Sequence, residues 1–173
     1  MSEPAEPTLT ELLEALLTAA RRLTRAEAGT VYVRVGEELR FEIAQNEPLT
    51  RRFGEAEAKR RLTQERLSLA EPSFARYVAL GHAPVNIPDV YHIPVDQPYV
   101  FNDHLDRKNH YRTRSLLAVP LRNAHGAVFG VLQLINARDH RGEVIAFDAA
   151  IEGRLVELVT RLAQAIPADR LPS

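Results

Sequence analysis

The hydrophobic pattern is densest between Ser115 and Asn136, SLLAVPLRNAHGAVFGVLQLIN, where two apolar runs flank a polar Asn123-Ala124-His125-Gly126 turn. Leu116 to Val119 are continuously apolar and Ala127 to Ile135 nearly so, the pattern of strands with neither face in water. They predict the central hairpin of a sheet covered on both sides. Towards the N-terminus the period changes. Thr8 and Glu11 form a capping box ahead of Leu9, Leu12, Leu13, Leu16, Leu17, Ala20 and Leu23, which predicts a long helix stopped by Gly29. Val31, Val33 and Val35 alternate with Tyr32 and Arg34, and Gly36-Glu37 turns the chain into Leu39, Phe41 and Ile43, a hairpin with one wet face. From Ala146 onward Phe147, Ile151, Leu155, Leu158, Val159, Leu162 and Ile166 share one helical stripe, ended by Pro167. The two terminal helices can cover one face of the sheet, so the irregular middle must cover the other, where a ligand could be enclosed.

Three stretches make up that middle. From Pro48 to Glu71, Arg51, Arg52, Lys59, Arg60 and Arg61 interleave with Glu55, Glu57 and Glu65, which predicts a solvated, ion-paired helix in preference to an anion or partner patch. A short helix follows, opened by Pro72, carrying Phe74, Tyr77, Val78 and Leu80 and closed by Gly81, and then one brief strand, VNIP. Residues 88 to 113 hold Pro88, Pro94 and Pro98 among aromatic and acidic side chains. A loop of this length in a compact domain is usually functional or disordered, and the aromatic content argues for an ordered lid.

At 173 residues the chain is long enough for one domain with a sizeable core. A formal charge of −1 gives no basic excess for nucleic acid. With no cysteine, disulfides, thiol nucleophiles, zinc–thiolate sites and thioether-linked chromophores are all excluded. No apolar run approaches the roughly 20 residues that span a bilayer, and the acidic, proline-bearing start is unlike a signal peptide, so no membrane partner and a cytoplasmic location are expected. A disordered N-terminus over 1–7, one domain over 8–166 and a C-terminal tail over 167–173 are the expected organisation.

Three strings, SFARYVALGHAPVNIPDVY, FNDHLDRKNHYRTRSLLAVPL and GAVFGVLQLIN, resemble a GAF domain, most closely those of cyclic-nucleotide phosphodiesterases and adenylyl cyclases. The resemblance spans roughly residues 8 to 166. It implies an α+β, PAS-related fold: a central antiparallel sheet of about six strands, terminal helices on one face and a lidded small-molecule pocket on the other. It also implies homodimers paired through the terminal helices, and sensory binding in signal transduction without catalysis. Cyclic-nucleotide-binding members carry Asn-Lys at the end of the fifth strand, then Phe, then, after three residues, Asp-Glu. Here Asn136, Phe147 and Glu152 fit, while Ala137 and Ile151 stand where the Lys and Asp would pair. Loss of both partners together leaves no lone buried charge, so the fold survives, but the specific argument for a cyclic nucleotide weakens. The partner is therefore an unidentified small molecule, with a cyclic nucleotide as one candidate.

The candidate ligand-binding residues are Asn86, Asp89, Tyr91, Phe101, Asn102, Asp103, Thr113 and Ser115. Asn86 and Asp89 flank Pro88, where capping of the turn and the following short helix takes precedence over ligand contact, although both roles are compatible. Asp103, His104, Asp106 and His110 have the residue types of a metal site without its spacing, so no metal or other cofactor is expected. Ahead of the hairpin, either Thr113 and Ser115 or Arg112 and Arg114 face the pocket. Hydroxyls suit a partly buried wall better, whereas inward guanidinium groups would call for an anionic ligand. Gln133, within the most apolar strand, needs hydrogen-bond partners, usually backbone. Tyr91, Tyr99 and Phe101 either stack on a flat ligand or hold the loop down. Reduction of free methionine sulfoxide, performed by some GAF domains, needs a thiol and is excluded; neither a serine nucleophile elbow nor a phosphate-cradling glycine loop is present. Two readings remain: a sensory module binding a ligand beneath the lid, and a dimerisation module whose pocket is filled by its own side chains.

Overall fold

The computed structural model describes residues 1–62, 66–81 and 83–172. Glu65, expected in the charged stretch, and Ser173 of the tail lie outside the described residues. Helix α1, Leu9–Thr24, starts from the expected capping box and buries Leu13, Leu16, Leu17 and Ala20. It ends at Arg25, whose left-handed backbone (φ 61°) passes the chain straight into β1, Ala26–Val35.

Gly29 therefore does not stop the helix. It lies within β1, where a Cβ would stand 2.6 Å from Leu17 Cδ1 and 3.1 Å from the Gln133 carbonyl oxygen. Its role is close packing of α1 on the sheet, which is why a glycine falls inside a strand.

Strand β2, Glu38–Asn46, returns antiparallel to β1. Asn46 then caps α2, Glu47–Phe53, by accepting a hydrogen bond from the Leu49 N–H. Gly54 breaks the charged stretch into two helices, with α3 spanning Glu55–Leu62. Glu47–Arg51 and Glu57–Arg61 ion pairs at helical spacing brace them. The expected continuous helix gives way at its end to a three-residue strand, β3, Arg66–Ser68, on the sheet edge. Helix α4 (Phe74–Ala79), strand β4 (Val85–Ile87) and helix α5 (His104–Asn109) follow. The predicted hairpin is β5, Leu116–Arg122, with β6, Val128–Arg138, and the chain closes with β7, Val144–Ile145, and α6, Ala149–Gln164.

The sheet is antiparallel, with order β3-β2-β1-β6-β5-β4 and the short β7 paired to β6. Each face has its own core. Leu117, Val119 and Leu121 of β5 with Leu132 and Leu134 of β6 pack against α1 and α6. Leu116, Ala118 and Val131 point the other way, against Phe74, Ala75 and Val78 of α4. The unbroken apolar run in β5 follows from this two-sided burial.

Candidate functional site: a lidded cavity

On the α4 side, sheet and lid enclose a cavity of about 150 Å³. Its floor is Thr30 and Tyr32 of β1, Phe41 of β2, Leu116 of β5, and Gln133 and Ile135 of β6. Leu49 of α2 and Phe74 of α4 form the sides, and Phe101, Leu105, Asp106, Asn109 and Thr113 close the top. Period-two alternation places Gln133 on this face, because Leu132 and Leu134 point to the helices. Helical spacing does the same for Leu105, Asp106 and Asn109 in α5.

Asp106 fastens the lid. Its Oδ2 accepts hydrogen bonds from the Thr113 N–H (2.9 Å) and the Tyr91 hydroxyl (2.5 Å), and its Oδ1 accepts from the Thr113 hydroxyl (2.7 Å). The Arg52 guanidinium of α2 donates to the carbonyl oxygens of Asn109 and His110 and so holds the C-terminal end of α5. A second polar knot lies at the rim. Buried Glu27 of β1 pairs with Arg138 and accepts from the Tyr111 hydroxyl (2.5 Å) and the Asn136 side-chain amide (2.6 Å).

The GAF domain family model matches residues 8–166. The chain belongs to the GAF domain family. Its relatives include the dual 3′,5′-cyclic-AMP and -GMP phosphodiesterase 11A of Takifugu rubripes, 40% identical over 72 residues, which are 42% of this chain and 7% of that protein. The corresponding phosphodiesterase 11 of Drosophila melanogaster is 44% identical over 62 residues, 36% of this chain and 4% of that protein. The matches thus span a small fraction of much longer enzymes. In fold, the GAF domain/HD domain protein of Geobacter sulfurreducens superposes with a TM-score of 0.65 at 15% identity, covering 89% of this chain and 88% of that one. GAF domains are regulatory modules in signalling. No helix among the described residues is long and apolar enough to cross a membrane.

Within this GAF domain the residues expected at the site divide. Phe101, Asn102 and Thr113 border the cavity, Asn102 at its exposed mouth. Asn86 does not. It pairs with Leu117 in the sheet, faces the helices, and donates its amide to the Phe147 carbonyl oxygen (2.9 Å). Ser115 is also off the cavity, because the cavity-facing parity of β5 is set by Leu116 and Ala118; its hydroxyl accepts from the Ala137 N–H (3.2 Å). Thr113 reaches the cavity from the loop before the strand, so strand alternation does not carry back to it. Arg112 and Arg114 are both exposed, the former lying over the Tyr91 ring at 3.7 Å.

Asp89 caps its own turn by accepting from the Tyr91 N–H, which holds its carboxyl below the usual range. Asp103 is bridged to Arg107. Tyr91 packs edge-on against Phe101, and Tyr99 packs on Phe74 and Tyr77, so both hold the loop down. The family-motif positions are structural here. Asn136 adopts a left-handed backbone (φ 58°), and its side chain accepts from the Arg114 N–H and donates to the Arg112 carbonyl. Phe147 is buried in the helix-side core, while Glu152 is half-buried at the start of α6. Ala137 and Ile151 belong to that same core, an apolar filling where the family places an ion pair. No three His, Asp or Glu side chains converge on a metal-sized site among the described residues. Sequence reasoning missed Asn109, which the polar string HLDRKN does not mark as buried.

Three tyrosines make the fold alkali-sensitive. Burial raises the Tyr32 phenol, burial and then Glu27 raise Tyr111, and burial and then Asp106 push Tyr91 up to about 12. A raised folded-state pKa contributes stability that is complete below the unfolded value of about 10 and is lost as pH rises through the folded value. Stability should fall steeply from about pH 10 upward, with tyrosinate absorbance appearing together with loss of circular dichroism. Gradual ionisation of these phenols in a still-folded chain would contradict this.

Proposed function

We propose that this GAF domain is a non-catalytic sensory module that binds a small molecule in the lidded cavity and reports occupancy through α1 and α6. The observation that carries the reading is the cavity itself, lined by both apolar and polar side chains and closed by a lid with its own fastening. A self-filled core would have left no such space. The relatives named as cyclic-AMP and -GMP phosphodiesterases support a regulatory setting of this kind. The terminal helices carry half-buried Leu9, Leu12, Leu23, Ile151 and Leu162 beside the helix-side core, and we assign the pairing of two copies to this surface.

The test is thermal unfolding and native mass spectrometry of the purified chain with the low-molecular-weight fraction of a cell extract. A raised Tm with a bound mass is expected. A flat Tm and no added mass would turn the assignment to a dimerisation module without a ligand.

A further inference from the structure

Resting on the sensory reading of the cavity, the structure assigns the ligand to one chemical class: an uncharged, single-ring molecule that presents a hydrogen-bond donor and an acceptor to the carboxamides of Asn109 and Gln133. Size is the first constraint. A cavity of about 150 Å³ in a protein core holds one benzene-sized ring, and the space here is about 150 Å³. That is below the roughly 300 Å³ at which drug-sized sites begin, and a base, a ribose and a phosphate together exceed it, so a nucleotide would have to project into water past Asn102 at the mouth.

Polarity is the second constraint. Asn109 is 1% exposed, yet both its amide oxygen and its amide nitrogen lack a hydrogen-bond partner. A buried polar side chain left unpaired is costly and uncommon, and both halves of this one are unpaired. Its carbonyl oxygen accepts from Arg52, which holds this end of the lid helix, and the side chain lines the cavity. On the floor Gln133 makes no side-chain hydrogen bond among the described residues, so lid and floor each offer one unused amide. A carboxamide offers one acceptor and two donors, the complement of an amide or lactam edge.

Charge is the third constraint. The lining contains neither Lys nor Arg, while the Asp106 carboxylate lies within it, already engaged by three hydrogen bonds. An anion would meet a buried negative charge, and the one basic side chain of the lining, His104, is exposed to water rather than enclosed with it. Phe41, Phe74 and Phe101 supply the apolar walls on which a flat ring packs.

The test uses the purified chain with nicotinamide and uracil as neutral probes, choline as the cation, and cyclic AMP and cyclic GMP as the anions. At saturation a neutral probe should raise Tm by about 5–10 °C and move the side-chain amide resonances of Asn109 and Gln133. Asn109→Leu should abolish this response while melting at or above the parent, because it removes an unpaired amide. Asn109→Asp, which keeps the shape and removes the donors, should weaken neutral-probe binding at least about tenfold. The inference is overturned if only choline or a cyclic nucleotide raises Tm, if Asn109→Leu binds the neutral probes as the parent does, or if the whole panel is flat. A flat panel alongside a positive cell extract removes the ligand class and leaves the sensory reading standing. If extract and panel are both flat, both readings fall.

Discussion

Replacing Glu27 by alanine is expected to cost about 3 kcal/mol of stability. Its carboxylate is 5% exposed and joins three segments: β6 through Arg138 and Asn136, the end of the lid through Tyr111, and β1 itself. Removing one member of a buried ion pair typically costs about 3–5 kcal/mol. The lower end applies because Arg138 is 29% exposed and water can partly solvate it once the carboxylate is gone. Chemical denaturation is the measurement, and Glu27→Leu combined with Arg138→Met should recover most of the loss, since a matched apolar pair leaves no stranded charge. A double variant no better than the sum of the two singles would show that the pair does not act as a unit.

Asp106→Ala is expected to destabilise by about 3 kcal/mol, because the substitution strands the Thr113 N–H and hydroxyl and frees the Tyr91 hydroxyl. For a chain of this size that corresponds to a fall in Tm of about 6–12 °C. The effect should be uneven across the molecule. The segment from 88 to 113 should become the first site of limited proteolysis, while the β5–β6 hairpin stays protected from amide exchange. Asp106→Asn, which retains one acceptor oxygen, should fall between parent and alanine variant. A loss below about 0.5 kcal/mol, the size of an ordinary surface substitution, would show that the lid is held by its aromatic contacts alone.

Much of the scaffold was legible in the sequence because burial writes itself as a period. Leu116 to Val119 announced a strand covered on both faces, Thr8 with Glu11 announced the start of α1, and Asn123 to Gly126 announced the turn of the central hairpin. The edge strand β3 escaped because three residues, with Arg66 and Ser68 exposed, are too few to show alternation. Within the site, legibility depended on the element. Gln133 could be placed once its neighbours were assigned to the helix side. Asn86 and Ser115 could not, because the face of a short strand is fixed only when one of its residues is pinned, and the pinning comes from β5–β6 pairing across the sheet. Asn109 sits in a polar six-residue helix where nothing in HLDRKN separates a sealed amide from a solvated one. Gly29 illustrates a different limit: a glycine that permits close approach reads in sequence like one that ends a helix.

The junction of α1 with β1 has a mechanical consequence. A single left-handed residue, Arg25, separates the last helical residue from the first strand residue. There is no slack in such a joint. Thr30 and Tyr32 touch the cavity from the same strand that α1 clasps at Gly29, with Leu17 pressed against it. Strand and helix therefore form a bent lever with its elbow at Arg25. A tilt of β1 at the cavity floor would therefore be passed to α1, a 16-residue helix about 24 Å long packed on the same sheet, rather than being absorbed by a flexible loop.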